Sequence, residues 1–338
     1  YLGYDKDKNK FCVDEYSPNN EKYIIVDEVS MIDTILFSSL LKGIKRNVKL
    51  VLVGDYFQLP SVSQGQVLKD LMDTELIDVV KLNCLYRQNE NSYIPILANE
   101  IKDKDIDDDF VIKRDDYNFI MCDNDKVIPT ILYITNNALK KGYTDKDIQI
   151  LAPMYKSING IDRLNQHLQK LFNPPLDTKK SLIIGEVTYR IGDKVLQLVN
   201  DTEANVYNGD LGYIINIIDS KVSATKKNEI IIDYDGNQVT YTADKFSNFR
   251  HGYAISIHKA QGSEFPLVIM PIVNNFNRML YNKLIYTGVT RAKKCLMIVG
   301  DPKCFTNGIM NDFVDYRKTT LKEFILEKYA YQSINIKD

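Results

Sequence analysis

The sequence lacks an excess of charge of either sign. Its 338 residues carry 43 Lys and Arg against 45 Asp and Glu, a net charge of -2, so no global field draws a polyanion and any nucleic-acid surface has to be local. It also lacks closely spaced cysteines. Cys12, Cys84, Cys122, Cys295 and Cys304 are scattered, which excludes the paired spacings of zinc sites and small disulfide scaffolds and points to reduced thiols in a cytoplasmic protein. No apolar run reaches the roughly 18 residues of a membrane span, and the opening stretch, Tyr1 to Lys10, is too polar for a secretory signal. The remainder is ordinary: 44% hydrophobic and 26% charged residues, long enough for two or three packed domains of a soluble protein.

Short apolar runs recur at Tyr23 to Val26, Leu50 to Val53, Ile148 to Leu151, Leu267 to Val273 and Leu296 to Val299. Such runs are the pattern of parallel strands covered on both faces. Helical patterns lie between them, over Ser30 to Gly43, Ser92 to Lys102, Val127 to Lys141 and Asn159 to Phe172, and the alternation predicts an α/β architecture. From about Gly185 to Phe249 the rhythm changes to short β-type runs separated by Asn, Asp and Gly, with a hairpin signal at Asp235-Gly236. This predicts a small all-β insertion, a barrel, within a second α/β domain that resumes at Tyr253.

Asp27 and Glu28 follow the apolar run that ends at Val26, where open α/β sheets bind ligands. In nucleotide hydrolysis such a pair can hold Mg²⁺ and orient the attacking water; alone, it is more often simply a strand meeting its solvated loop. Roughly thirty residues later Gly54-Asp55 leads to Gln58-Leu59-Pro60, and a Gln there can bond both a terminal phosphate and the attacking water, unless Asp55 merely caps the next helix. Arg87 and Arg291 are candidates for neutralising charge on a transferring phosphoryl group, or for surface ion pairs. The richest segment runs from Ala254 to Phe265. It combines His258, Lys259, Gln261, Gly262, Ser263 and Glu264 just before an apolar strand, the donor types that a phosphate-contacting site requires. His258 has no metal partners spaced for it.

The order of Asp27-Glu28-Val29-Ser30-Met31, Gly54-Asp55 with Gln58-Leu59-Pro60, Tyr86-Arg87-Gln88, His258 to Glu264 and Tyr286 to Ala292 resembles the motifs of superfamily one helicases. Ser61 to Leu71, Ala152 to Pro174 and Tyr189 to Tyr213 narrow the resemblance to RecD-like 5′ to 3′ DNA helicases, the group of the exodeoxyribonuclease V alpha subunit, over nearly the whole chain. The resemblance implies two RecA-like parallel-sheet domains, the first incomplete, with a small SH3-like β-barrel inserted in the second. The boundaries are 1–105 for the first, 106–184 with 250–338 for the second, and 185–249 for the barrel.

By position, it assigns Asp27 to Mg²⁺, Glu28 to water, Gln58 to the γ-phosphate, and Arg87 and Arg291 to finger roles. Gly54, Asp55, Gln88, Gln261, Gly262 and Glu264 become nucleotide-side residues, and Tyr155, His258 and Lys259 become contacts for single-stranded DNA. The implied cofactors are ATP and Mg²⁺. The implied partners are single strands and duplex junctions, with recombination or repair proteins beside them and no membrane.

None of the 16 glycines is followed by Lys, so no G-x-x-x-x-G-K-[ST] string is present. Together with a first residue that is Tyr, this sets the expectation of a C-terminal fragment of a helicase, inactive by itself. The competing readings are a degenerate protein kept as a non-hydrolytic DNA-binding module, and a RecD-type subunit of a multi-subunit exonuclease.

Overall fold

Apolar runs become parallel strands here wherever a helix can return the chain to the starting edge. The computed structural model describes residues 1–5, 8–82, 92–223, 225–312 and 317–335. The chain divides into two compact units, Tyr1–Leu85 with Phe313–Asp338, and Tyr86–Asp312.

The first unit opens with a short antiparallel pair, β1 (Tyr4–Asp5) and β2 (Lys10–Phe11). β3 (Tyr23–Val26), α1 (Thr34–Lys42) and β4 (Lys49–Leu52) then form a β-α-β unit whose strands pair in parallel, from Tyr23 opposite Lys49 to Val26 opposite Leu52. Asp33 starts α1 by accepting from the Leu36 amide at 2.8 Å, which satisfies one of the unpaired donors of the first turn. Phe37 and Leu40 of α1 pack with Val67 and Leu71 of α2 (Val67–Met72). On the other face of the strand pair, Tyr23, Ile25, Val51 and Val53 are exposed.

The second unit begins with α3 (Tyr93–Asp103), β5 (Tyr117–Met121), α4 (Val127–Lys140), β6 (Ile148–Ala152) and α5 (Ile161–Phe172). The chain next builds the inserted barrel: the hairpin β7 (Ser181–Ile184) and β8 (Val187–Arg190), then β9 (Lys194–Gln197), β10 (Leu211–Ile218), β11 (Glu229–Tyr234), β12 (Asn237–Thr242) and β13 (Phe249–His251). It returns through β14 (Ala254–Ser256), β15 (Phe265–Ile272), α6 (Asn282–Val289), β16 (Ala292–Gly300) and α7 (Pro302–Met310). The final helix is α8 (Leu321–Asn335).

The α/β core of this unit is a five-stranded sheet in the order β14-β6-β15-β16-β5, every pair parallel. α4 packs against α5, and α3 against α6 against α7, giving two helical layers. Between them every residue of β6 is buried, as expected of a strand without a solvent face. Gly300 lies at the end of β16 with φ 144°, and a Cβ there would collide with the Ile272 carbonyl. Gly300→Ala is therefore expected to destabilise the second unit by about 1–3 kcal/mol, read as a lowered urea midpoint; an unchanged midpoint would show that the strand ends can separate freely.

In the barrel, the order β12-β11-β10-β9-β13 is antiparallel throughout. Val195, Ile214, Ile217, Ile230, Ile232, Tyr241 and Phe249 fill its core. The expected hairpin forms at Asp235 and Gly236, both with positive φ (51° and 92°), between the paired residues Tyr234 and Asn237, as a two-residue primed turn requires.

Where barrel meets sheet, the wholly buried Asp193 collects donors from four directions. Its carboxylate accepts from Gln169 Nε2 (2.6 Å), Asn173 Nδ2 (2.7 Å), Tyr253 Oη (3.1 Å) and the Arg190 amide (2.7 Å), and lies 3.0 Å from His251 Nε2. The neighbouring Lys194 is also buried. Its Nζ donates to the Asp145 carbonyl (2.8 Å), the Ile148 carbonyl (3.3 Å) and Gln149 Oε1 (3.1 Å), and burial pushes its pKa down to about 8. Two adjacent residues of β9 and the turn before it thus tie the barrel to α5, β6 and the start of β14.

Two domain edges differ from the sequence boundaries. α3 falls in the second unit, where Asn282 Nδ2 donates to the Ile101 carbonyl at 2.6 Å. The segment from Arg317 onward falls in the first unit, with Leu321 and Ile325 against the Phe37, Leu40, Val67 and Leu71 core. Helical periodicity identifies a buried stripe but not its partner.

Candidate active site

The parallel register brings two loops to the same end of β3 and β4. The Val53 amide bonds the Val26 carbonyl (2.8 Å) and the Val29 amide bonds the Val53 carbonyl (3.0 Å), so Asp27-Glu28 and Gly54-Asp55 leave the strands side by side. Asp27 is exposed and its Oδ1 accepts from the Glu28 amide at 2.8 Å. Glu28 is left-handed, φ 51° and ψ 40°. That conformation is uncommon outside glycine and costs of order 1–3 kcal/mol, and it is held by the ladder bonds on either side. Gly54 permits the close approach, since a Cβ there would sit 3.1 Å from the Val29 nitrogen and 3.2 Å from the Ser30 nitrogen.

Gln58 occupies the second loop. Asp55 Oδ1 accepts from the Phe57 amide at 2.9 Å, and the Gln58 amide reaches the Asp55 carbonyl at 3.2 Å, so Asp55 organises the turn that presents Gln58. The side chain of Gln58 is 9% exposed. Its Oε1, and the Oγ of Ser30 in the first loop, are buried and have no hydrogen-bond partner among the described residues. Buried polar atoms are nearly always satisfied, so two orphans in the two loops that flank Asp27-Glu28 fit a site built for a polar ligand. Ser30 was not singled out in the sequence, where a Ser after a strand reads as an ordinary helix start. Among the described residues no group of three or more His, Cys, Asp or Glu is placed to hold a metal. A magnesium ion needs no such group, because one or two carboxylates plus phosphate oxygens complete its shell, and exposed Asp27 fits that role.

In the second unit the sheet sorts the candidate residues by edge. Tyr155 follows the carboxyl end of β6, and His258 and Lys259 follow that of β14; these strands are neighbours, with Ser256 opposite Ala152. Gln261, Gly262 and Glu264 precede β15, and Arg291 precedes β16, also neighbours, with Phe265 opposite Ala292. The segment Ile257 to Glu264 therefore runs from one edge of the sheet to the other.

Arg250 lies 5.1 Å above the Tyr155 ring and 3.8 Å from Asp162. Lys259 Nζ bonds Asn208 of the barrel. Burial lowers the pKa of Lys259, and burial with the Lys259 charge lowers that of His258. Arg291 is 3% exposed, so it does not lie on the surface. Its guanidinium donates to the carbonyls of Thr287 (3.1 Å) and Ser263 (3.2 Å) and to Thr290 Oγ1 (3.2 Å), tying it to the loop that carries Gly262 and Glu264. Arg87 and Gln88 lie outside the described residues.

Three family matches cover this architecture. Residues 6–124 match an AAA domain, residues 164–234 the SH3 domain of ATP-dependent RecD-like DNA helicases, and residues 251–299 a UvrD-like helicase C-terminal domain. The chain is 33% identical over 270 residues to the ATP-dependent RecD2 DNA helicase of Deinococcus radiodurans, covering 80% of this chain and 35% of that protein. It is 28% identical over 364 residues to the RecBCD enzyme subunit RecD of Buchnera aphidicola from Acyrthosiphon pisum, covering 92% and 59%. It thus spans less than two thirds of the length of either relative.

Among solved structures, the Pif1 helicase of Candida albicans has a TM-score of 0.51 at 16% identity, covering 90% of this chain and 76% of that one. Pif1 from Bacteroides bound to single-stranded DNA has a TM-score of 0.50 at 17% identity, covering 93% and 76%. At such identities the likeness concerns the fold.

The AAA match corrects one expectation. An ATPase-type domain is represented from residue 6 to residue 124, so the reading of the chain as a C-terminal fragment without the nucleotide-binding part of the motor is withdrawn. That reading rested on one missing string and on a first residue that is Tyr, whereas a domain is defined by its whole pattern of buried strands and loops. Among the described residues no helix is long and apolar enough to cross a membrane. The matched domains and relatives together place the chain in the RecD-like helicase superfamily, with domains of the ATP-binding type.

Proposed function

We propose that this chain is the motor of an ATP-dependent DNA helicase that moves 5′ to 3′ along single-stranded DNA. The observation that carries the reading is the sorting of the second unit's residues: DNA candidates on the carboxyl edge of the sheet, phosphate candidates on the amino edge, and Ile257 to Glu264 joining the two. A change at Gly262 and Glu264 on nucleotide turnover is thereby delivered to His258 and Lys259. Gly262, at φ 74° with open space around it, lets that segment change direction without a steric penalty.

In the first unit Asp27 would hold Mg²⁺, which would supply positive charge against the phosphate oxygens. Glu28 orients and deprotonates the attacking water, and Gln58 Oε1 and Ser30 Oγ take up polar partners from the two loops beside it. Gly54 and Asp55 shape that loop. Arg87 and Arg291 have the permanent charge that phosphoryl transfer calls for, and Gln88 and Gln261 are assigned to nucleotide contacts. Tyr155 offers a stacking face, and His258 and Lys259 track the strand.

A second reading, the RecD-type subunit of a multi-subunit exonuclease, draws support from the Buchnera relative, whose alignment takes in 92% of this chain. One experiment separates the two. The purified protein is given duplexes with a 5′ or a 3′ single-stranded tail, with ATP and Mg²⁺. Unwinding of the 5′-tailed duplex by the protein alone is the expected result. Unwinding only when partner subunits are added favours the second reading, and unwinding from the 3′ tail sinks the proposed polarity.

A further inference from the structure

The C-terminal segment of the first unit grips the loop that follows Gln58. Arg317 spreads its guanidinium over three residues of that loop: Nη1 donates to Ser61 Oγ (3.0 Å), to the Gly65 carbonyl (2.8 Å) and to the Ser63 carbonyl at 2.5 Å, and Nη2 donates to the Ser61 carbonyl (2.6 Å). Two residues later, Thr319 Oγ1 donates to Asp70 Oδ2 at 2.6 Å and anchors the approach to α8. On its other side the loop is pressed against the start of α1. The Thr34 amide donates to the Gln64 carbonyl at 3.0 Å, and Gly65, at φ 108°, leaves no room for a side chain beside Thr34. Leu59 and Ser61 are buried, at 1% and 4% exposure, so the stretch from Gln58 to Ser61 has no slack in which to absorb a displacement.

We propose that Arg317 is a positioning residue for Gln58, through which the C-terminal segment sets the geometry of the phosphate-sensing loop. The proposal rests on the reading of Gln58 as that sensor. A planar fork is required, since one nitrogen serves Gly65 while the other serves Ser61; a lysine ammonium offers a point charge and cannot reproduce the pair.

The test compares five variants of the purified protein in single-strand-stimulated ATP hydrolysis: Arg317→Ala, Arg317→Lys, Thr319→Val, Gln58→Ala and the double variant of Arg317→Ala with Gln58→Ala. Loss of alignment in Arg317→Ala should lower kcat by about tenfold to a hundredfold, with KM for ATP changed much less. Arg317→Lys, which keeps the charge and protects against a folding failure, should recover only a small part. Thr319→Val breaks the neighbouring anchor and should keep kcat close to the parent, while the double variant Arg317→Ala with Gln58→Ala should be no worse than Gln58→Ala alone. Equal kcat in Arg317→Ala and Thr319→Val, full recovery in Arg317→Lys, or additive losses in the double variant would each overturn the proposal. If Gln58→Ala hydrolyses ATP normally, the sensor reading itself fails, whatever Arg317 does.

Discussion

Glu28→Gln is expected to lower single-strand-stimulated ATP hydrolysis by about 10²–10⁴-fold while leaving DNA affinity unchanged. The amide has the carboxylate's shape, so the left-handed turn at φ 51° and its bonds to β4 persist. What disappears is the group able to take a proton from the attacking water. Steady-state hydrolysis and the fluorescence anisotropy of a labelled single strand measure the two quantities separately. Hydrolysis within a few-fold of the parent would remove Glu28 from the chemistry. A parallel loss of DNA binding would mean that the substitution had damaged the fold instead.

The largest stability effect is expected at the seam between barrel and sheet. Asp193→Ala strands the donors of Gln169, Asn173, Tyr253 and the Arg190 amide together with the His251 ring. Breaking such a buried charged network by removing one partner costs about 3–5 kcal/mol. Burial alone would raise the Asp193 pKa, but the His251 bond and charge, the Asn173 bond and the Arg190 amide outweigh it, and the net shift is downward. The sign of the pH dependence follows. As pH falls the unfolded chain binds the proton first, so the contribution is whole above about pH 4 and is lost as pH drops toward the lower folded value. Chemical denaturation at pH 7 and in the acid range tests both statements: the parent should lose this increment in acid, and Asp193→Ala should lack it at every pH. A variant as stable as the parent at pH 7 would show that the seam tolerates its loss.

Much of the scaffold was legible because it is written in short windows. Tyr23 to Val26, Ile148 to Leu151 and Glu229 to Tyr234 declare themselves as strands by their apolar content, and Asp235-Gly236 by its turn chemistry. β5 was missed, since Tyr117 to Met121 alternates buried and half-buried residues at a sheet edge and shows no continuous apolar run. β7 and β8 were missed for a related reason: β7 alternates, exposing Ser181 and Ile183.

The candidate site divides in the same way. That Asp27, Glu28, Gly54, Asp55 and Gln58 belong together could be argued from spacing, because a β-α-β crossover returns neighbouring strands to one edge. The orphaned atoms of Ser30 and Gln58 could not, since satisfaction is a property of everything packed around an atom. Arg291 read as either a finger or a surface charge, and only packing showed it buried against the Ser263 carbonyl.

By itself, then, the sequence determined most of the element types, the insertion and the order of the motifs, all set by propensity and periodicity over a few residues. The tertiary structure decided the partners: His251 beside Asp193 across 58 positions, Arg317 on Ser61 across 256, and the sorting of motif residues to opposite edges of one sheet. Such pairings arise from the summed burial and hydrogen bonding of distant segments, and no local window carries that sum.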